Sequence, residues 1–368
     1  MAAVPSPDPD RASRTDRIRA RLRAAQDGSG FVPFDRFMEI ALYDPVAGYY
    51  SAARSPLGPM GDYYTAAHVS PLFARSLAQR IGAVRASIAA RPFRIVELGP
   101  GDGTLAAGIV SALRPEEAEL EYALVERSEA RAAEAAHRIR ATSATVRVVR
   151  LPSLGADGPF AGAVIANEYL DAQPARRLLW DGSYWRELGV ELRGDGLGPA
   201  DRPMDRAVPG PALPIHLEAG TVVEVSAGAE AAVREIGDHL AAGVAILIDY
   251  GLEEPELLAA HPRGTLAAVR GHRSLEAPFE APGTSDLSMF VNFSRVRAVA
   301  RGSGLTEIAF RSQAEALGEW GFPALLDAAL KSAGSAEAEV RLRLAAKNLL
   351  FGFERFRVLE LAARPPAT

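Results

Sequence analysis

The clearest candidate for ligand binding in this sequence is the glycine-rich segment 97–104, which reads E-L-G-P-G-D-G-T. It lies where an apolar strand pattern gives way to a helical one, and a doubly wound sheet binds nucleotide-like cofactors at such a junction. Gly99 is expected to turn the chain off the strand. Because Gly101 and Gly103 carry no side chain, backbone N–H groups can approach a ligand at the N-terminus of the helix that begins at Thr104.

The spacing of these glycines indicates which cofactor the segment binds. A dinucleotide fingerprint has the form G-x-G-x-x-G, whereas this segment is G-x-G-x-G with Glu97 two places before the first glycine. The arrangement suits S-adenosylmethionine, whose ammonium group Glu97 would hold. Glu126 ends the next predicted strand, where a carboxylate can accept hydrogen bonds from both ribose hydroxyls of an adenosine. Since Glu126 would serve NAD equally well, a nicotinamide oxidoreductase stays open as an alternative. The residues predicted to bind the cofactor are Glu97, Gly99, Pro100, Gly101, Gly103, Thr104 and Glu126.

A second polar segment, residues 167–172, follows the fourth predicted strand and reads N-E-Y-L-D-A. Carboxyl ends of parallel strands share one edge of a sheet, so these side chains should face the same crevice as the glycine-rich segment. Methylases of exocyclic base nitrogens usually carry N-P-P-Y or D-P-P-Y here, and the missing proline pair argues against a nucleic-acid substrate. Glu168 offers a carboxylate that can hold a planar cation such as guanidinium bidentately. Alternatively, Asn167 and Asp171 cap a following helix.

Composition excludes several classes of function. The 368 residues include 41 Lys and Arg against 46 Asp and Glu, and the net charge of -5 argues against binding to nucleic acid or to an anionic membrane. Zero cysteines exclude disulfides, thiolate-held metals and cysteine nucleophiles, and we predict no metal site. No apolar run reaches the roughly 20 residues that a bilayer-spanning helix needs. The polar, proline-rich segment 1–16 lacks the features of a signal or transit peptide, which predicts a cytoplasmic protein.

Strand and helix patterns alternate from residue 93 onwards, which predicts an α/β fold with a doubly wound, mainly parallel sheet. A hairpin around the turn dipeptide Asp181-Gly182 and a surface excursion rich in Gly, Pro and Asp at 193–214 interrupt this alternation. The predicted organisation is a disordered tail at 1–16, a helical lid region at 17–90, a Rossmann-like cofactor-binding core at 91–260 with an excursion at 176–214, and a substrate-side elaboration at 261–368 that completes the sheet.

With these motifs placed, the chain resembles the MidA family of S-adenosylmethionine-dependent methyltransferases, relatives of the mitochondrial arginine methyltransferase that assists assembly of respiratory complex I. The matching segments follow one another along the chain at residues 43–45, 48–51, 61–65, 70–73, 97–104, 167–172, 248–251, 264–266 with His272, and 353–356. The resemblance implies a class I methyltransferase fold with an N-terminal helical lid and C-terminal α+β elaborations.

The same resemblance implies S-adenosyl-L-methionine as the cofactor and methyl transfer to a protein arginine nitrogen by direct displacement. It implies catalytic roles for Glu168, Asn167 and Asp171. It also adds Asn167, Asp62 and Thr65 to the residues expected to bind the cofactor. Tyrosines at 49–50 and 63–64 would close over the donor or pack in the core.

Three departures from the family pattern lie in parts expected to touch the substrate. Where the family often has T-[SA]-P-E-[IV]-S, residues 65–70 read T-A-A-H-V-S, and we interpret the lone His68 as structural. Residues 291–294 read V-N-F-S instead of V-D-F-[ST], and residues 267–269 are A-A-V where arginine and tyrosine are expected. A small-molecule N- or O-methyltransferase and a non-catalytic S-adenosylmethionine-binding assembly factor therefore stay open, as does a homodimer.

Overall fold

The computed structural model describes residues 9–51, 65–89, 92–113, 120–194, 196–204, 217–271, 273–276 and 278–363. The strands are β1 (Phe31–Pro33), β2 (Phe93–Leu98), β3 (Leu120–Val125), β4 (Arg147–Leu151), β5 (Phe160–Asn167), β6 (Arg176–Trp180), β7 (Trp185–Arg193), β8 (Gly196–Pro203), β9 (Val222–Val225), β10 (Leu240–Leu252), β11 (Ala267–Arg270), β12 (Arg273–Ser274), β13 (Asp286–Ser288), β14 (Val291–Asn292), β15 (Leu305–Ser312) and β16 (Phe356–Ala363). The helices are α1 (Pro9–Ala25), α2 (Phe34–Tyr43), α3 (Ala66–Val69), α4 (Pro71–Ser87), α5 (Thr104–Leu113), α6 (Glu129–Thr142), α7 (Ala227–His239), α8 (Glu254–Ala260), α9 (Phe293–Gly302), α10 (Gln313–Glu319), α11 (Phe322–Lys331) and α12 (Ala336–Phe351), with a 3₁₀ helix at Tyr49–Ser51.

The central sheet is eight-stranded, with the order β15-β16-β10-β5-β2-β3-β4 and with β14 paired to the end of β10. The strands from β4 to β10 run parallel to their neighbours, whereas β16 is antiparallel to both β10 and β15. The chain leaves β2 towards β3 on one side and returns to β5 on the other. The carboxyl ends of β2 and β5 therefore form the switch point where an open α/β sheet opens a crevice for ligands.

Buried apolar side chains cover both faces of this sheet. On one face, α4, α5 and α6 pack with α10, α11 and α12 around Phe73, Tyr122 and Trp320. On the other face, α7 and α9 pack around Val233 and Phe293. Strands with both faces covered have nearly continuous apolar sequences, and β2 (Phe93–Leu98) shows this pattern. Helix α5 begins at Thr104, as predicted.

A second sheet of five strands forms beside the core from β1, β6, β7, β8 and β9. The predicted hairpin around 181–182 is its β6–β7 pair. The predicted surface excursion at 193–214 contains an edge strand that the sequence analysis did not predict, β8, which pairs with β7 from Arg186↔Pro203 to Arg193↔Gly196. Gly and Pro disfavour a central strand, but β8 is an edge strand, where proline is better tolerated.

The N-terminal segment also differs from the prediction. Helix α1 begins at Pro9, so the disordered tail predicted for 1–16 is wrong from that residue onward, and residues 1–8 lie outside the described part of the chain. Ile18 and Leu22 are fully buried in a cluster that also holds residues of α2, β11 and β13. Long-range packing therefore orders a segment whose own composition is polar.

No helix in the described ranges is long and apolar enough to cross a bilayer.

Helices α5 and α6 approach each other at Gly103, which has φ +80 and whose Cβ, if present, would lie 2.6 Å from the Cα of Ala135. We expect Gly103→Ala to lower the free energy of unfolding by about 2–4 kcal/mol, because it adds backbone strain and a clash with main chain. The matched control is Gly158→Ala, which has the same φ of +80 but open space around its Cβ. Equal losses in urea titrations of the two variants would contradict this explanation.

Candidate functional site

A cavity of about 280 Å³ lies at the carboxyl ends of β2, β3, β4 and β5. The loops that leave these strands border it with residues 99–102, 125–127, 152–153 and 167–169. The lid region borders it with Tyr43, Tyr50, Thr65, Ala67 and His68. The crevice predicted from the strand order therefore brings the glycine-rich segment, Glu126 and Glu168 to one place.

The glycine-rich loop follows β2 in a left-handed backbone conformation, with φ of 67° at Gly99, 56° at Gly101 and 80° at Gly103. The N–H of Gly99 donates to the carbonyl of Val125 at 3.0 Å, which joins the ends of β2 and β3. Gly99, Pro100 and Gly101 border the cavity, as predicted for cofactor residues. Gly103 packs against α6 instead, and neither it nor Thr104 borders the cavity.

Asp102 explains the position of Thr104. Its carboxylate accepts hydrogen bonds from the Thr104 N–H at 3.0 Å and from the Thr104 hydroxyl at 2.9 Å, which caps α5. His68 Nε2 donates to the same carboxylate at 3.3 Å, and His68 Nδ1 lies 2.8 Å from the Thr65 hydroxyl. Burial raises the pKa of Asp102, but the bonds from His68 and Thr104 outweigh it and lower the pKa to about 2. His68 thus joins the lid to the glycine-rich loop.

Two carboxyl groups face the cavity where a nucleoside donor would need them. Glu97 is 3% exposed, accepts a hydrogen bond from the Tyr122 hydroxyl at 2.7 Å, and has its pKa raised to about 7 by burial. Glu126 Oε1 accepts from the Ser128 N–H at 2.9 Å, and burial raises its pKa as well. An ammonium group beside Glu97 would favour the ionised carboxylate. These groups fit S-adenosyl-L-methionine, and the buried Asn167 Oδ1, which has no hydrogen-bond partner, offers one further acceptor.

Glu168 has the only positive φ of a non-glycine residue in the described chain, at 52°. Its N–H donates to the carbonyl of Ile248 at 2.8 Å, so β10 holds the turn. Its Oε1 lies 3.4 Å from both the Ala66 N–H and Asn167 Nδ2. Burial first, and then the charge of Asp171, raise the pKa of Glu168 to about 8. The Glu168 side chain therefore borders the cavity, and its two hydrogen bonds at 3.4 Å do little to stabilise the ionised carboxylate.

Asp171 does not cap a helix, because β5 is followed by a loop that leads into β6. That alternative from the sequence is wrong for both Asn167 and Asp171. Asp171 borders a smaller neighbouring cavity instead, and its buried Oδ1 has no hydrogen-bond partner. Burial and the adjacent Asp286 raise its pKa to about 7, although Tyr250 donates a hydrogen bond to it. Asp171 thus belongs to a group of buried carboxyls behind Glu168.

Sequence reasoning gave no role to several residues that build this site. Asp249, in the carboxyl-terminal part of β10, accepts hydrogen bonds from the N–H groups of Leu170 at 2.9 Å and Asp171 at 3.2 Å. The Tyr50 hydroxyl donates to Asp286 Oδ1 at 2.7 Å. The signal for Asp249 was its place at a strand end, whereas nothing near Asp286 in the sequence points to the cavity.

Arg127 and Arg131 also border the cavity, and their guanidinium groups lie over the rings of Tyr43 and Tyr50 at 4.3 and 4.9 Å. The predicted cofactor residue Asp62 lies outside the described residues. So do Tyr63, Tyr64 and His272.

Comparison with known proteins gives a consistent picture. The model of a family described as "Putative S-adenosyl-L-methionine-dependent methyltransferase" matches residues 72–310. A crystal structure of a Burkholderia thailandensis protein bound to S-adenosyl-homocysteine is 31% identical, with a TM-score of 0.85 over 98% of this chain and 95% of that one.

Two curated relatives are more distant. The mitochondrial protein arginine methyltransferase NDUFAF7 homolog of Drosophila melanogaster is 26% identical over 82% of this chain and 74% of its own length. The mitochondrial protein arginine methyltransferase NDUFAF7 of Homo sapiens is 26% identical over 74% of this chain and 66% of its own length. The chain thus spans about two thirds to three quarters of these relatives.

We expect Glu126→Ala to weaken binding of S-adenosyl-homocysteine by about 2–4 kcal/mol, because two charge-assisted hydrogen bonds to the ribose are lost. Glu129→Ala is the control, since Glu129 lies three residues further along at the start of α6 and its side chain is 89% exposed. Isothermal titration calorimetry measures both. A dissociation constant within twofold of wild type for Glu126→Ala would place the ribose elsewhere.

We expect the ligand-free protein to become less stable as pH rises from about 5 to about 9. The pKa of Glu168 is about 8, and those of Glu97 and Asp171 are about 7, all above their ordinary values. In this range the folded state holds protons that the unfolded chain has released, so raising the pH favours unfolding. Glu168→Gln removes one of these groups, and its melting temperature should fall less steeply with pH. Parallel slopes for the two proteins would contradict this assignment.

Proposed function

Because the chain belongs to this family of S-adenosyl-L-methionine-dependent methyltransferases, we propose that it transfers the methyl group to an arginine side chain of a protein. Family membership establishes the donor and the reaction class. It also establishes the predicted Rossmann-like methyltransferase fold, and the nicotinamide alternative is wrong. The proposal concerns the acceptor.

The observation that carries the proposal is the group of buried carboxyls beside the donor cavity. Glu168, Asp171 and Asp249 form no ion pair with any lysine or arginine in the described ranges. Each has its pKa raised, first by burial and then by the charges of its neighbours, which include Asp286. Buried carboxylates are costly unless a cation or strong donors compensate them. A cationic acceptor supplies that compensation.

A guanidinium group matches the chemistry of Glu168 better than an ammonium does. Its planar N–H groups pair with a carboxylate bidentately and keep their charge at every physiological pH. Asp171 Oδ1, in the neighbouring cavity, is a further buried acceptor without a hydrogen-bond partner. The name of the Drosophila relative, a protein arginine methyltransferase, supports the same acceptor.

When bound, the donor supplies an electrophilic methyl group on a sulfonium sulfur. The nitrogen forms a bond to the methyl carbon as the carbon–sulfur bond breaks, and the nitrogen loses one proton. Glu168 would orient the guanidinium so that one nitrogen is aimed at the methyl group, and alignment of this kind lowers the barrier strongly. The cation beside it favours the ionised form of Glu168, which can also accept the proton that the nitrogen releases.

The cytoplasmic location and the homodimer stay predictions. The curated relatives from Drosophila and human carry mitochondrial names.

We expect Glu168→Gln to bind S-adenosyl-homocysteine within about threefold of wild type while methyl transfer falls by at least about 100-fold. The variant keeps the shape of the side chain but loses the charge that orients the acceptor, and such an interaction acts mainly in the transition state. Single-turnover transfer from labelled donor into an arginine-containing peptide measures the rate. Glu337→Gln, at an exposed position of α12, is the control and should match wild type.

Loss of donor binding together with transfer would show that Glu168 supports the donor site instead. Label found only in small metabolites, with intact protein mass unchanged, would overturn the arginine acceptor and favour the small-molecule alternative.

A further inference from the structure

Arg131 is a buried cation that forms no ion pair in the described part of the chain. It lies in the first turn of α6, is 8% exposed and borders the donor cavity. Its Nε and Nη2 atoms are buried and have no hydrogen-bond partner, and it forms no ion pair with a carboxylate in the described part of the chain. Burying a charged guanidinium group without an ion pair costs free energy. A bound ligand or another interaction must therefore compensate for this cost.

The position on the helix increases that cost. The N-terminal turn of a helix carries the positive end of its dipole, which disfavours a cation and favours an anion. Ser128 caps this turn by accepting a weak bond from the Arg131 N–H at 3.4 Å. The guanidinium and the helix end therefore attract the same kind of ligand, a negatively charged group in the cavity.

Arg127 shows the contrast, because it borders the same cavity and forms an ion pair with a carboxylate. Its Nη1 donates to both carboxylate oxygens of Glu39, at 3.0 and 3.1 Å. The guanidinium of Arg131 lies against the ring of Tyr50, at 4.9 Å, and forms no ion pair with the described residues. Glu126 is near enough for Arg131 to lower its pKa, but the Oε1 of Glu126 is engaged by Ser128.

The neighbours of Arg131 define where the anion would lie. Four residues further along α6, Ala135 packs on Gly103, and one turn beyond it Arg138 contacts Asp102 at 3.2 Å. The helix therefore runs alongside the glycine-rich loop, with Arg131 at its cavity end. Glu97 borders the same cavity from the end of β2. A ligand with both an ammonium and a carboxylate can meet opposite charges at these two places.

We propose that Arg131 binds the α-carboxylate of the methionine part of the donor. Nε and Nη2 form the side of the guanidinium that pairs bidentately with a carboxylate. The inference rests on the donor being S-adenosyl-L-methionine and does not depend on the acceptor. It gives Arg131 the role of selecting donors that retain the amino-acid carboxylate.

The test compares two ligands on three proteins by isothermal titration calorimetry. The ligands are S-adenosyl-homocysteine and its decarboxylated analogue, which keeps the amine and lacks only the carboxylate. Wild type should prefer S-adenosyl-homocysteine by about tenfold or more. Arg131→Met should lose this preference and bind both ligands about equally, whereas Arg127→Met should keep it.

Two outcomes would overturn the proposal. One is a wild-type protein that binds both ligands alike, which needs no variant and so holds even if Arg131→Met fails to fold. The other is an Arg131→Met protein that keeps the wild-type preference. Arg131→Lys keeps the positive charge but cannot form two parallel hydrogen bonds to a carboxylate. Its preference for S-adenosyl-homocysteine over the decarboxylated analogue should therefore be intermediate. Because all readouts are binding constants, failure of the arginine acceptor would leave them unchanged.

Discussion

The active site depends on the loop after β5, and the carboxylate of Asp249 holds this loop in place. It accepts hydrogen bonds from the N–H groups of Leu170 and Asp171, while the neighbouring Ile248 carbonyl accepts from Glu168. These bonds tie the loop after β5 to the carboxyl-terminal part of β10. They also hold Glu168 at φ 52°, a conformation that costs roughly 1–3 kcal/mol in isolation. The strained turn directs the Glu168 carboxyl into the cavity.

The two sides of the cavity carry different charges, and one side suits the methyl donor while the other suits a cationic acceptor. Glu97, Glu126 and Arg131 lie around the loops after β2 and β3, where a zwitterionic nucleoside donor can find a partner for each of its groups. Glu168 lies at the end of β5, with Asp171 behind it and no basic residue in the described chain paired to either. A donor bearing a positive sulfonium and a cationic acceptor both gain from this negative side, and burial strengthens the effect.

The lid region connects the two sides. Tyr50 presents its ring to Arg131 and donates its hydroxyl to Asp286, so one side chain spans from the donor site to the buried carboxyls. His68 joins α3 to the glycine-rich loop through Asp102. The departure from the family pattern at His68 therefore falls on a contact between lid and loop.

The sequence by itself determined the features that depend on local order along the chain. Strand periodicity, the glycine spacing and the polar residues at strand ends placed the cofactor loop, Glu126 and Glu168 at one sheet edge, because parallel strands bring their carboxyl ends together. Tertiary structure alone decided the rest. Thr104 became a helix-cap partner of Asp102, Asp171 became a buried carboxyl beside Asp286, and Arg131 was left without an anion. Burial and charge partners come from residues distant in sequence, and no local pattern encodes which distant group will lie alongside.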